Sequence, residues 1–202
     1  MKIKNLLIIP LLLTMSNNYA QTAEDYFNFG YDKVIAKDYK GAIQDYTKAI
    51  ELNPKYYKAY CNRASSKNDL GDYYGAIQDY KKAIELDRND DKAYYGRGVS
   101  NDGLKNFKEA IQDYTKAIEL NPKYISAYTN RGADKWNVDD YYGAIEDFTK
   151  AIELNPKNYK AYEGRGIAKL SLPDKKGACL DWSKAGELGS DGAYDLISKF
   201  CK

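Results

Sequence analysis

The sequence contains no histidine among its 202 residues. Histidine is the commonest metal ligand and the usual general base, so its absence excludes Ser-His-Asp, Cys-His and HExxH sites. Phenylalanine and tryptophan are scarce, at five and two residues, whereas tyrosine is used 21 times. The composition therefore argues against metalloenzymes and triad hydrolases.

Only one long apolar run is present, at residues 6–13, and it is interrupted by Pro10. It is too short for a membrane span, which needs about 20 apolar residues. Lys2 and Lys4 precede the run, and a polar stretch ending in the small residue Ala20 follows it. This order predicts a signal peptide over residues 1–20 and a protein that is exported, periplasmic or secreted. The alternative is an anchor that stays uncleaved.

A basic surplus is also missing. Without Lys2 and Lys4, the 31 basic residues fall to 29, which equals the 29 acidic residues. Proteins that bind nucleic acid or anionic membranes usually carry a basic surplus on one face. We therefore expect neither a nucleic-acid partner nor binding to anionic membrane surfaces. Because the one apolar run is short, we also expect no transmembrane segment after signal cleavage.

The rest of the chain repeats itself every 34 residues. The motif YKGAIQDY at 39–46 returns in similar form at 73–80, 107–114 and 141–148, with a weaker copy at 175–182. Within each copy the apolar residues recur at three- and four-residue spacing, which predicts an amphipathic helix. A second helix-length segment precedes each motif. A period of this length indicates stacked helix–turn–helix units that bury one another's apolar faces.

These units resemble the tetratricopeptide repeat (TPR) family. The family's large first-helix aromatic matches Tyr26, Tyr60, Tyr94, Tyr128 and Tyr162, and its second-helix alanine matches Ala42, Ala76, Ala110, Ala144 and Ala178. The resemblance implies an all-α, right-handed α-solenoid of five units, with a capping helix at 193–202 that Asp191 could start. The units are 23–56, 57–90, 91–124, 125–158 and 159–192. Two departures are Arg88 and Ser190, which stand where the family has proline.

Four arginines replace a family aliphatic residue in units two to five. Each stands sixteen residues before an aspartate, and the midpoint falls in the turn between paired helices. An antiparallel helix pair would place the two side chains level. The pairs are Arg63–Asp79, Arg97–Asp113, Arg131–Asp147 and Arg165–Asp181. We expect a salt bridge within each unit, and the alternative is an arginine stripe that binds anions.

Cys179 and Cys201 are symmetric about the turn at Ser190. Because an exported protein meets oxidising conditions, we predict a structural disulfide that ties the cap to the fifth unit. Two free buried thiols are the alternative. Cys61 is left unpaired and receives no predicted chemistry.

No motif for catalysis, metal or cofactor binding survives inspection. The run 87–91 begins like a calcium loop, but Lys92 and Gly98 stand where glycine and a bidentate glutamate are required. No Walker sequence or complete dinucleotide fingerprint is present. We therefore predict that the chain is not an enzyme and binds no cofactor or metal.

In the resembled family, one face of the first helices lines a concave groove for an extended peptide or a partner helix. Here that face varies between units, whereas the packing positions repeat. The candidate partner-binding residues are Phe27, Tyr31, Asn62, Lys92, Tyr95, Asn130 and Trp136. Lys58, Lys92 and Lys160 would line one edge. Asn62 and Lys92 match two positions of the family's carboxylate clamp, but Phe27, Tyr31 and Gly96 occupy the others. The alternative is that the lysines are merely solvated and the aromatics fill gaps between units.

The sequence thus predicts an interaction scaffold of the cell envelope that binds a protein or peptide of unknown identity. Two alternatives stay open. The tyrosines of the groove could stack on a glycan or another small ligand, or the array could serve as a spacer in an envelope assembly.

Overall fold

A computed structural model describes residues 22–201. The predicted signal peptide at 1–20 lies outside the described residues, as does Lys202. Within residues 22–201 the chain forms helices and no strands, which confirms the all-α class. The helices are α1 (Ala23–Ile35), α2 (Tyr39–Leu52), α3 (Tyr57–Asp69), α4 (Tyr73–Leu86), α5 (Asp91–Gly103), α6 (Phe107–Leu120), α7 (Ile125–Asn137), α8 (Tyr141–Leu154), α9 (Tyr159–Leu170), α10 (Lys175–Glu187) and α11 (Asp191–Phe200).

Consecutive helices pack in five antiparallel pairs, α1–α2 to α9–α10, and α11 packs on α10. Most second helices begin at an aspartate that accepts a hydrogen bond from a glycine three residues on. In α4, for example, Gly75 donates its backbone N–H to Asp72 Oδ1 at 2.9 Å. A Cβ on Gly75 would overlap the same carboxylate. The recurring Asp-Tyr-x-Gly sequence therefore caps the helix and leaves room for the cap.

Alanine and aromatic residues fill the space between the helices of each pair. The recurring second-helix alanines are fully buried, and so are Tyr46, Tyr114 and Trp182, which follow them by four residues. The first helix offers a small residue opposite each ring, as at Gly98, where a Cβ would lie 2.6 Å from Cε1 of Tyr114. The two helices can therefore approach closely only because a small residue on one helix faces a large ring on the other.

Neighbouring units also join through their first helices. Helices α3 and α5 pack directly, as do α7 and α9, whereas α5 and α7 share less contact. The described residues include no helix that is long and apolar enough to cross a membrane.

The four expected arginine–aspartate salt bridges are all present, each with Nη2 to Oδ1 at 2.6 Å. Each guanidinium also lies over the ring of the tyrosine three residues before it. In three units its remaining nitrogen donates to a threonine of the preceding unit, namely Thr47, Thr115 and Thr149. Because the guanidinium groups are engaged on several sides, the structure favours the salt bridges over an anion-binding stripe.

Each aspartate has a second partner that sequence inspection missed. A lysine four residues after the arginine reaches the same carboxylate in units two, four and five: Lys67, Lys135 and Lys169. In unit three Asn101 takes this place and donates to Asp113 at 3.0 Å. Unit one has Phe29 in place of arginine, and Lys33 alone pairs with Asp45 at 2.6 Å.

The C-terminal helix α11 covers the fifth unit. It begins at Asp191, the start that the sequence suggested, and Ser190 caps it by accepting from the backbone N–H of Ala193. Its apolar residues Leu196, Ile197 and Phe200 pack into the cluster that contains Trp182. The structure contains the disulfide between Cys179 and Cys201, whose Cα atoms are 5.8 Å apart.

Candidate functional site

The first helices of units one to three enclose a cleft of about 560 Å³. Its lining residues come from α1, α3, α4, α5 and the turn before α5. They are Phe27, Tyr57, Lys58, Cys61, Asn62, Ser65, Tyr80, Asp87, Asp90, Asp91 and Lys92. A smaller cleft of about 110 Å³ shares Asn62 and Ser65 with it and reaches Tyr31 and Val34. We call the larger space the main cleft and the smaller one the side cleft.

At the main cleft, unit two lacks an aromatic pair that units one and three have. Phe27 stacks on Tyr56 with ring centroids 5.0 Å apart, and the equivalent Tyr95 stacks on Tyr124 at 4.7 Å. The corresponding residues between them in the array are the short Cys61 and Asp90, whose Sγ and Oδ2 lie 3.6 Å apart. Replacing two rings by two short polar side chains leaves space at this point.

Three of the seven predicted partner-binding residues meet in the main cleft: Phe27, Asn62 and Lys92. Tyr31, 54% exposed, lines the side cleft, so it adjoins the same site through Asn62. Asn62 is held in place by donating its side-chain amide to the phenol oxygen of Tyr46 at 3.4 Å. These four residues form one continuous surface.

Tyr95 and Asn130 line neither cleft. The ring of Tyr95 packs between Tyr114 and Tyr124, and Asn130 donates to its hydroxyl at 3.2 Å. Both residues therefore serve the contact between units three and four. This arrangement matches the gap-filling alternative for Tyr95.

Trp136 lies further along the array, 38% exposed. Its Nε1 donates to Ser171 Oγ at 3.0 Å, which directs the indole towards unit five. Lys160 lines neither cleft, so only Lys58 and Lys92 of the predicted lysine edge reach the site.

The charges of the main cleft are unevenly matched. Lys58 and Lys92 are exposed and form no ion pair with any described residue. The acidic residues are engaged: Asp90 accepts from the backbone N–H groups of Lys92 and Ala93, and Asp91 accepts from the Asn121 amide at 2.8 Å. The two ammonium groups are therefore the charged groups of the cleft that have no partner, while the carboxylates accept from neutral N–H groups and keep their charge.

The thiol and phenols of the cleft are held in their protonated forms. Burial, reinforced by the charge of Asp90, raises the pKa of the Cys61 thiol to about 12. Burial also raises the pKa of Tyr80, and burial with the nearby Asp87 and Asp90 raises the pKa of Tyr57. At neutral pH these groups are hydrogen-bond donors and not nucleophiles.

Sequence inspection considered the acidic run 87–91 only as a failed calcium loop and did not predict that Asp87, Asp90 and Asp91 line a cleft. The sequence does mark this turn as different. Of the four turns that join one unit to the next, it is the only one without Asn-Pro. No group of three or more cysteine and acidic side chains within residues 22–201 is placed to hold a metal ion.

Models of tetratricopeptide repeats match residues 23–56, 45–78, 91–124 and 125–158, and a TPR repeat model matches residues 65–101. The chain belongs to the tetratricopeptide repeat family. None of the TPR models that match describes an enzyme, and the TPR fold serves protein interaction. No curated protein matches the sequence significantly.

Solved TPR structures share the fold. A crystal structure of MamA is 28% identical, with a TM-score of 0.76 over 82% of this chain and 96% of that one. YrrB, described as a TPR protein with an unusual peptide-binding site, is 22% identical, with a TM-score of 0.76 over 89% and 92%. The first TPR of Spaghetti (RPAP3), bound to the HSP90 peptide SRMEEVD, is 28% identical, with a TM-score of 0.58 over 59% and 94%.

Proposed function

We propose that this TPR protein is an exported, non-enzymatic scaffold of the cell envelope that binds an extended segment of a partner protein in the main cleft. The observation that carries the proposal is the cleft itself. It combines an apolar wall at Phe27 with two ammonium groups that form no ion pair and the phenol groups of Tyr57 and Tyr80. Such a mixture suits a peptide, which offers backbone carbonyls and side chains of both kinds.

The bound peptide of Spaghetti supports this direction. Its sequence, SRMEEVD, carries three acidic residues, and that TPR domain is 28% identical to this chain. In the present cleft Lys58 and Lys92 could pair with an acidic group, whereas Asp87 on the same rim would disfavour a second one nearby. We therefore expect a segment with one acidic group beside an apolar side chain. Phe27, Tyr31 and Gly96 cannot complete a carboxylate clamp, so the acidic group need not be a chain terminus.

Export rests on two features of the chain. The first twenty residues have the order of a signal peptide, and the disulfide between Cys179 and Cys201 suits an oxidising compartment. The lack of histidine and the protonated state of Cys61 are the grounds for a non-catalytic role.

A pull-down from envelope extract tests the proposal. The bait is the chain 21–202, compared with Lys58→Ala/Lys92→Ala. The matched control is Lys40→Ala/Lys108→Ala, which removes two exposed lysines of second helices and the same charge. We expect a protein that the wild type and the control retain and the cleft variant loses.

Two results would contradict the proposal. Equal capture by all three baits would place binding elsewhere. Loss of the captured protein after glycosidase treatment of the extract would indicate that the array binds a glycan instead.

A further inference from the structure

Two carboxylates face each other where the preceding joint of the array has a neutral hydrogen bond. Between units two and three, Ser100 donates its hydroxyl to Asn68 Oδ1 at 2.8 Å, which links α5 to α3. The residues 34 positions later are Asp102 on α5 and Asp134 on α7. We call the contact between the first helices of two neighbouring units a joint. The joint of units two and three therefore holds a hydrogen-bond donor and an acceptor, and the equivalent positions of the joint of units three and four hold two acids.

Asp134 is deeply buried, with only 2% of its surface exposed. Its Oδ2 has no hydrogen-bond partner. Two ionised carboxylates can only accept, so they cannot bond to each other. A single proton between them would give the buried oxygen a partner and remove one negative charge.

Five basic residues of the surrounding helices are already bound to other carboxylates. On α7 itself, Arg131 and Lys135 are bound to Asp147 of α8. On α5, Arg97 is bound to Asp113 of α6, and on α9, Arg165 and Lys169 are bound to Asp181. The phenols of Tyr95 and Tyr114 lie near the pair and are kept protonated by burial, which raises the pKa of both.

Burial and the charge of Asp102 raise the pKa of Asp134 to about 8, against a weaker opposing effect of the Asn137 amide. The shift agrees with the geometry, since a buried acid beside a second acid keeps its proton.

We propose that Asp102 and Asp134 form a proton-binding site that joins α5 to α7, so that loss of the proton weakens the stacking of units three and four. The inference goes beyond the proposed function and does not depend on it. The joint is suited to such control because α5 and α7 share less contact than α3 and α5 or α7 and α9.

The direction of the pH effect follows from linkage. Asp134 has a higher pKa in the folded chain than in the unfolded chain, so the folded state binds more protons between about pH 4 and about pH 8. Its contribution to stability is complete below this window and is lost as the pH rises through it. Raising the pH therefore favours unfolding, by up to about tenfold in the equilibrium constant per pH unit.

The test compares unfolding of the folded chain 21–202 at pH 5.0, 6.0, 7.0 and 8.0. Asp102→Asn and Asp134→Ser each install the residue that the preceding joint already uses, so we expect both to fold. Asp32→Asn removes an exposed carboxylate from α1 and serves as the control. We expect the ratio of unfolding constants, wild type over Asp102→Asn, to rise at least about tenfold from pH 5.0 to pH 8.0. The ratio of wild type over Asp32→Asn should stay constant.

A second measurement makes the result independent of stability. Carbon-13 NMR of aspartate carboxyl groups in the wild type should show one resonance that titrates above pH 6 and is absent from Asp134→Ser. If every aspartate carboxyl titrates below pH 5, or if Asp102→Asn keeps the pH slope of the wild type, the proposal is overturned.

Discussion

Asn130 donates its side-chain amide to the hydroxyl of Tyr95, 3.2 Å away, and so ties the first helix of unit four to that of unit three. Asn130 was one of the predicted partner-binding residues. Here the amide already has a partner within the array. Tyr95 and Asn130 consequently stabilise the stack, and the proposed binding surface is the main cleft of units one to three.

Tyr95→Ala should lower the free energy of unfolding by about 3 kcal/mol, because it removes a ring that packs between Tyr114 and Tyr124. Tyr31→Ala should cost less than about 1 kcal/mol, since that side chain is 54% exposed. Urea unfolding followed by circular dichroism measures both. Equal losses would show that Tyr95 is not a packing residue.

The two arginine variants Arg97→Ala and Arg131→Ala should differ in stability. Removing Arg97 leaves the buried Asp113 with only the neutral amide of Asn101. After removal of Arg131, Asp147 keeps Lys135 at 2.9 Å. An uncompensated buried carboxylate typically costs about 3 kcal/mol, whereas the hydrogen bond that Arg131 also makes to Thr115 is worth about 1 kcal/mol. We therefore expect Arg97→Ala to be the more destabilising by about 1 kcal/mol or more.

The same urea titration decides this comparison. If Arg131→Ala were equally or more destabilising, the lysine would contribute little to its aspartate. Affinity for a cleft ligand should be unchanged by either variant in buffer where both are folded.

Reduction of the disulfide should lower the stability of the C-terminal end by about 3 kcal/mol, because the bond closes a loop across 22 residues between Cys179 and Cys201. The experiment uses thermal unfolding with and without dithiothreitol in a Cys61→Ser background. Cys179→Ser/Cys201→Ser should unfold at the midpoint temperature of the reduced parent, and dithiothreitol should not change that midpoint. A midpoint that reductant leaves unchanged in the parent would contradict a structural role for the bond.

Cys61 should resist alkylation in the folded chain. With its pKa raised to about 12, its thiolate fraction at pH 8 is about a thousandfold below that of an ordinary cysteine. Iodoacetamide labelling followed by mass spectrometry should therefore be slow in buffer and fast in urea. Rapid labelling of the folded chain would show that the thiol is open and ionisable, and would weaken the description of the cleft.

Much of the fold follows from the sequence because each unit packs on a copy of itself. The 34-residue period predicts the helix pairs, and the equal distance of Arg63 and Asp79 from their turn predicts their salt bridge, which the structure contains. The pairing of Cys179 with Cys201 follows from the same symmetry. Where two residues lie on the paired helices of one hairpin, their distances from the turn are enough to predict that they meet.

The candidate site could be predicted only in part, because it depends on which side chains meet between units. Periodicity places Phe27 and Tyr95 on the same face, but not that each ring stacks on the tyrosine of the following turn. The consequence, a cleft where Cys61 and Asp90 replace two rings, requires both helices and the turn in place. The contact of Asp102 with Asp134 was hidden for the same reason.

The most direct test of the binding claim is to fill the main cleft and measure peptide affinity. Cys61→Tyr/Asp90→Tyr would restore the aromatic pair that Phe27 and Tyr56 form in the neighbouring joint. The control Thr129→Tyr/Asn158→Tyr makes the same change between units four and five, at equivalent positions. Peptides selected from a random displayed library on the wild type would be titrated against all three folded proteins by fluorescence anisotropy. We predict that the filled-cleft variant loses at least about tenfold in affinity, equivalent to about 1.4 kcal/mol, while the control binds like the wild type. Equal affinity for the wild type and the filled-cleft variant would contradict the account.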